Sequence, residues 1–542
     1  MAKIGKGALE NLTHALYKDA RIIYREYIQN SCDQIDIAKK EKSFPNEKLE
    51  ILININTLKR VVTISDNANG ISTREIKKRL EDVADSDKVQ GENKGFRGIG
   101  RLGGLAYCRE LRFITTFKGE TTETTMIWNA QKLQEVFSDN TNHSSAEQIL
   151  DDIISYDTRE VNADEHYFKV QMVDIKESAE SLLDYMSVKQ YISEVAPLGF
   201  KKTFIFKSKI DEFISSHDEI PPMHCYNIGI RKNSGELNYL YKDYQTNIYK
   251  MQGNHKVVVD TVRDIQTDVI YDSQGQPIAW IWYAVTSLKG AINDLGNPWK
   301  GLRLRQFNIQ IGEQNALSEF FSENRGNSYF LGEVHTLSKK LRPNARRDYF
   351  NETPDVKEFE RAIREYFKKL SRLYKIGSEL NSSFEKLKKV EQLHKEYNDK
   401  LNMGFATVEA QTEKKAELEI AIEKAQEGKK TIQKYQKQAE KDGGEALAKV
   451  VDVICNERKI DVENVVIKPV PESSTRKKNK GKNNNNKHQK EEKPKLLVEE
   501  LTSYDKKTRK VITTIYDIIH KNLPSDDADA LIEKIHEELK QS

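Results

Sequence analysis

The chain has 542 residues, 32% of them charged and 37% apolar, with a formal net charge of +3. That length exceeds what one hydrophobic core supports and calls for several units. No apolar run approaches the roughly 18 residues that cross a bilayer, which argues against a membrane span. The cysteines Cys32, Cys108, Cys225 and Cys455 are scattered, so neither a disulfide framework nor a zinc cluster is expected.

The opening segment has no apolar stretch after its basic residues, and a cytoplasmic location is the expectation. The charge is unevenly spread. Residues 476–495 hold nine Lys or Arg against Glu491 and Glu492, a local +7 that leaves the remainder at −4. The folded part is therefore not generally basic, which weakens a nucleic-acid reading for it.

Residues 8–40 carry Leu12, Leu16, Ile22, Ile23, Ile28 and Ile35 at helical spacing, which places Glu26 and Asn30 on one helix face. Leu49–Ile55 and Val61–Ser65 alternate as strands ending at Asp66, and Ser72 is a candidate cap for a helix through Leu80. A polar, glycine-bearing loop over 82–98 leads into Gly95, Gly98, Gly100, Gly103 and Gly104, with a helix expected from about Leu105. Further strands are expected at 113–117, 124–128 and 168–173, and Thr203–Phe206 reads as the strand closing the first domain near residue 210.

From 211 to 353 strands dominate, including a hairpin across Asp272–Gln276, a strand over 302–311 and another over 329–335. Residues 354–470 turn Lys-, Glu- and Leu-rich with apolar residues at helical spacing, a long helix or helical hairpin interrupted at Gly404 and a candidate coiled coil. The tract 471–495, with its asparagine run, cannot bury a core. Periodicity returns over 496–542 as a small helical module.

Cleaving a phosphoanhydride requires a base, a positioned water, a divalent cation and donors for the developing charge. Glu26 can orient or deprotonate water, and the Asn30 amide oxygen suits Mg²⁺, a hard ion that prefers oxygen. Asp66 ends a strand and precedes Gly70, suited to accepting a hydrogen bond from an adenine amino group. The glycine run offers unhindered backbone N–H groups to phosphates.

In this order the motifs resemble the GHKL ATPases, the superfamily of DNA gyrase, HtpG-type heat-shock chaperones, histidine kinases and MutL. The resemblance implies an α+β chain with an N-terminal α/β sandwich of the Bergerat type over 1–210 and a middle, transducer-like α+β domain over 211–353. It implies ATP and Mg²⁺ as ligands. Glu26, Asn30 and Asp33 match the family's base, Mg²⁺ ligand and pocket support. Asp66 and Gly70 match its Asp-x-Gly-x-Gly box, with Ala68 at the middle glycine, and Gly95, Gly98 and Gly100 match Gly-x-x-Gly-x-Gly, with a mobile lid between the boxes. Thr203 suits the threonine the family places beside adenine.

Leu341–Asp348 looks like the chaperone segment whose arginine reaches the γ-phosphate, with Arg347 in that place and Asn344 alongside. The resemblance, strongest toward the HtpG-type chaperones, covers 1–350 and implies a nucleotide-gated homodimeric clamp on a protein partner. A DNA-acting clamp of the MutL or MORC kind is the alternative, with Lys88 as a candidate lid lysine and nucleic acid contacted through 476–495. A third reading is an ATP-dependent scaffold with negligible turnover that recruits an effector.

Overall fold

A computed structural model describes residues 10, 19–81, 100–139, 141, 142, 144–441, 444–458 and 465–471, and, between 505 and 538, all but 525, 526, 529, 533, 536 and 537. Contacts divide the chain into two compact units, Met1–Tyr374 and Lys375–Ser542. Among the described residues no helix is long and apolar enough to cross a membrane.

Among the described residues of the first unit, α1 (Ile22–Glu41) ends where Lys42 turns left-handed at φ 55°. Its apolar stripe of Ile23, Tyr24, Tyr27, Ile28 and Ile35 is fully buried, each such side chain contributing about 1.5–3 kcal/mol of burial. The stripe packs on β1 (Glu50–Asn56) and β2 (Val61–Asp66), where every second residue is buried. The antiparallel register sets Ile55 opposite Val62, Ile53 opposite Ile64 and Ile51 opposite Asp66. That row delivers one carboxylate to an otherwise apolar face.

Next come α2 (Ile76–Leu80), a 3₁₀ turn over Gly100–Ala106, β3 (Cys108–Thr116), β4 (Thr122–Asn129), α3 (Ala130–Ser138), α4 (Ala146–Ile153), β5 (Ile154–Glu160) and β6 (Tyr167–Ile175). Then follow α5 (Tyr185–Val195), α6 (Lys207–Ser215), β7 (Asn227–Lys232) and β8 (Asn238–Tyr239). The strands form one eight-stranded sheet in the order β5-β4-β3-β6-β2-β1-β7-β8. Strand β7 runs parallel to β1, bringing Ile228 and Ile230 beside Ile51 and Ile53.

Three sequence readings need correction here. Ser72 does not cap a helix: its carbonyl accepts from Glu75 N–H in a turn, and α2 begins only at Ile76 with no side-chain cap. No α-helix starts near Leu105, because Cys108–Thr116 pairs with both β4 and β6 and the glycine segment stops at a 3₁₀ turn. Thr203–Phe206 is not a strand. Phe204 N–H donates to Lys201 and Lys207 N–H to Phe204, so the backbone turns and sends Phe204 and Phe206 into the neighbouring core.

That neighbouring core lies over a second sheet, ordered β11-β12-β15-β13-β14, with β9 (Asn247–Gln252) and β10 (His255–Thr261) as a separate ribbon. Strands β11 (Asp264–Tyr271) and β12 (Pro277–Val285) make the expected hairpin. The single strand expected over 302–311 is two, β13 (Gly301–Gln306) and β14 (Ile309–Gln310). Phe307 and Asn308, both at positive φ, turn the chain between them. Strand β15 (Leu331–Thr336) lies between β12 and β13.

Helix α7 (Pro354–Met403) runs to Gly404, whose φ of 102° breaks it as the sequence suggested. In the second unit α8 (Val408–Lys441) and α9 (Gly444–Arg458) follow, the latter burying Leu447, Val450, Val451 and Ile454. Gly428 of α8 lies against the Ser383 backbone, where a Cβ would be 3.1 Å from the carbonyl oxygen. Helix α10 (Lys506–Asn522) is capped by Asp505 and places Tyr516 against Ala406 and Ile532. The basic tract 476–495 lies outside the described residues.

Candidate functional site

Helical spacing on α1 brings Glu26, Asn30 and Asp33 to one face. Glu26 is 7% exposed and Asp33 2%, so both carboxylates sit where electrostatic interactions are little screened. The 3₁₀ turn packs beside this face. A Cβ on Gly100 would come within 2.5 Å of Glu26 Oε2, so glycine is what lets the backbone close on that carboxylate. Tyr27 fixes the same turn, its hydroxyl accepting from Gly104 N–H and donating to the Arg101 carbonyl, each at 3.1 Å.

The other Glu26 oxygen faces the turn that carries Arg347. Arg347 Nε lies 3.1 Å from Glu26 Oε1, and Arg25 Nε lies 3.8 Å from the same atom. Arg347 is held in the left-handed region at φ 55°, an uncommon conformation for a side-chain-bearing residue and one that tight turns impose. The turn is pinned on both sides. Arg347 N–H donates to Asn344, Asn344 N–H to Tyr349, and Gly312 N–H to the Arg347 carbonyl. Asn344 Nδ2 also donates to Asp348, and Arg25 Nη2 reaches the Arg346 carbonyl at 3.3 Å.

A buried ionic cluster ties the second sheet to the end of α5. Glu333 on β15 accepts from Lys242 Nζ at 2.7 Å, Arg305 Nε at 2.5 Å and His335 Nε2 at 2.9 Å. Arg305 also donates to the Glu194 carbonyl, and Asn308 Nδ2 to the Leu198 carbonyl, both in and just after α5. Burial alone would raise the Glu333 carboxyl, but Arg305 and Lys242 hold it well below the usual range. Burial pushes His335 down to about 4, so its ring stays neutral, and burial with Arg305 lowers Lys242 to about 8. Removing one member would strand a buried charge at a cost of about 3–5 kcal/mol.

Asp66 lies at the end of β2, 2% exposed. Its Oδ2 accepts from the Ser31 hydroxyl at 2.7 Å and its Oδ1 from Ala68 N–H at 3.2 Å. Burial raises the carboxyl from 3.8 to about 7, against the lowering effect of those two donors. Gly70 follows at φ 71°, and a Cβ there would stand 2.1 Å from the Thr116 carbonyl oxygen. We expect Gly70→Ala to cost at least the roughly 1–2 kcal/mol of a left-handed residue, with the clash in addition. Thermal unfolding of the variant checks this, and an unchanged midpoint would contradict it. Ala68 is not among the positive-φ residues, so alanine at the middle glycine adds no such strain.

The site thus joins Glu26, Gly100, Arg347 and Arg25 at one end of α1 and Ser31 with Asp66 further along. Gly95, Gly98 and Lys88 lie outside the described residues. Thr203 is not brought to the site: it is exposed, in the turn that delivers Phe204 to the second core. In register with Asp66, the neighbouring strands carry Phe168 on β6 and then Thr115 on β3. The Thr115 hydroxyl accepts from Ile71 N–H, immediately after the Asp66–Gly70 box. Sequence reading missed Ser31, Thr115, His166 and the Glu333 cluster. Only the cluster left a signal, charged Arg303, Arg305 and Glu333 inside otherwise apolar strands.

The first sheet and its helices thus bring together an acidic helix face, a glycine turn against its carboxylate and a buried aspartate at a strand end. Residues 22–166 match a family profile described as "Histidine kinase-, DNA gyrase B-, and HSP90-like ATPase", and this segment is a domain of that family, within the ATP-binding ATPase superfamily. The chain is also similar to "Chaperone protein HtpG" of Ruthia magnifica subsp. Calyptogena magnifica, 26% identical over 140 residues. That match takes in 22% of this chain and 23% of the relative's length.

Proposed function

We propose that the chain is a Mg²⁺-dependent ATPase in which the second domain completes the site built by the first. The observation that carries this reading is the approach of Arg347 to Glu26 at 3.1 Å, with Glu26 inside the segment matched to an ATPase family. The arginine neutralises the base. An incoming γ-phosphate, with more negative charge and three acceptor oxygens, competes for the guanidinium and leaves Glu26 free to accept a proton.

The adenine amino group donates to Asp66, and the phosphates face the backbone around Gly100. Glu26 takes a proton from a water whose oxygen attacks the γ-phosphorus, while the bond to the β-phosphate oxygen breaks to give ADP and phosphate. The donor set suits Mg²⁺, which binds through one or two protein oxygens plus phosphates and water: the Asn30 amide oxygen would hold it. When bound, the ion neutralises charge on the transferring phosphate. Arg347 supplies a further positive charge to the same group.

As in the HtpG-like reading, we take the working form to be a cytoplasmic homodimer that closes on a protein partner as ATP binds. The alternative of a DNA-acting clamp rests on 476–495, outside the described residues, and no described feature favours it.

The experiment is ADP binding across pH. Because its folded-state value is raised, proton binding by Asp66 stabilises the nucleotide-free fold fully below about pH 4, and that contribution is lost as pH rises through about 7. The ionised acceptor is complete only above that range. Affinity for ADP should therefore rise about tenfold from pH 6 to pH 8, following the ionised fraction, and Asp66→Asn should flatten the difference. Equal pH dependence in wild type and variant would remove Asp66 from the adenine site, and absence of ADP binding would sink the ATPase reading.

A further inference from the structure

His166 lies just before β6 and is 8% exposed. Both ring nitrogens face oxygen: Nδ1 is 3.0 Å from the Ala68 carbonyl and Nε2 is 3.0 Å from Glu47 Oε2. The ring stacks on Phe44, centroids 3.8 Å apart and planes within 6°. Lys118 Nζ sits on the same group, 5.2 Å from the Phe44 ring centroid and 3.8 Å from Glu47 Oε1. Three segments far apart in sequence, at 44–47, 118 and 166, thus form one cluster, from which His166 reaches the carbonyl of the Ala68 peptide.

That peptide belongs to the box that follows Asp66. Ala68 N–H is donated to Asp66 Oδ1 at 3.2 Å, while the Ala68 carbonyl faces His166. One residue's N–H aims the carboxylate, and its C=O is tied to a stacked, nearly buried imidazole. A hydrogen-bonded, well-packed partner of this kind restricts the group it holds and preorganises the one beyond it. If the tie is lost, Ala68 can rotate, and the Asp66 oxygen it aims loses its direction toward a nucleobase.

We infer that His166, supported by Glu47 and Phe44, is a positioning residue that sets nucleobase selectivity by holding the Ala68 peptide and through it Asp66. This rests on the ATP-site reading above and adds to it what fixes the base-recognition carboxylate. The ligand selected is an adenine nucleotide, whose 6-amino group donates to Asp66. A hypoxanthine nucleotide presents a carbonyl at that position and gains nothing from a fixed carboxylate.

The test is calorimetric binding of ADP and inosine diphosphate to the full chain, with His166→Phe and Glu47→Gln. His166→Phe keeps a ring on Phe44 and removes both polar contacts. Glu47→Gln, at a side chain 43% exposed, keeps the fold and weakens only the outer support. We expect His166→Phe to bind ADP about tenfold more weakly and inosine diphosphate unchanged, so that the preference between them shrinks, with a smaller shift of the same kind for Glu47→Gln. A parallel loss for both nucleotides would mean a merely structural role and overturn the inference, as would unchanged preference in both variants. Wild type that binds neither nucleotide would instead refute the ATP-site reading, and the inference with it. Wild type that binds both equally would refute base selection by Asp66.

Discussion

Glu26→Ala is expected to lower ATP turnover by about 10²–10⁴-fold, the usual contribution of a positioned general base, while ATP binding is retained. The argument is geometric. Glu26 is the carboxylate against which the Gly100 backbone closes, a Cβ there falling 2.5 Å from its Oε2, and it is nearly buried. Removing it leaves Asp66 and the backbone donors in place, so the nucleotide keeps its adenine and phosphate contacts. Phosphate release under saturating Mg²⁺-ATP, paired with equilibrium binding, checks both halves. Unchanged turnover would remove Glu26 from the chemistry. A variant that binds without hydrolysing would also accumulate the closed state with any partner it holds.

The second large effect is at Arg347. Two consequences of Arg347→Ala oppose each other: Glu26 loses its ion-pair partner, and the transferring phosphate loses a cation. The first frees the base, but only from an interaction that ATP itself displaces. The second removes transition-state stabilisation, for which loss of one preorganised donor costs about 10²–10³-fold in turnover. The second wins, and we expect a fall of that size. Arg347→Lys should recover part of it, since lysine keeps the charge without the planar fork. The left-handed turn pinned by Asn344 and Gly312 supports placing the arginine by backbone geometry, so alanine there should leave the fold intact. Turnover equal to wild type would detach the second domain from the chemistry.

Much of this site was legible because its parts are local. The helical spacing of Ile23, Ile28 and Ile35 fixed which face of α1 carries Glu26 and Asn30, and the alternation of Val61–Ser65 put Asp66 at the buried end of a strand. Leu341–Asp348 is singled out only by its resemblance to a chaperone segment; in the structure Arg347 N–H closes a turn onto Asn344. What escaped is non-local. Thr203–Phe206 does alternate, with Phe204 and Phe206 buried and Thr203 and Ile205 exposed, but no neighbouring strand pairs with it and turns satisfy its backbone. The break between β13 and β14 depends on two consecutive positive-φ residues, which a run of apolar alternation conceals. His166 is defined by Phe44, Glu47 and Ala68, about a hundred residues earlier, and nothing near it in sequence marks it.

The account stands on Glu26 and Arg347 acting as one unit across two domains. A double-mutant cycle on single-turnover ATP hydrolysis tests that directly, with Glu26→Ala, Arg347→Ala and both together. Residues that serve the same transition state are non-additive, so the double variant should be about as slow as the slower single. If the two losses instead multiply, the pair acts independently, and the second domain does not complete the site.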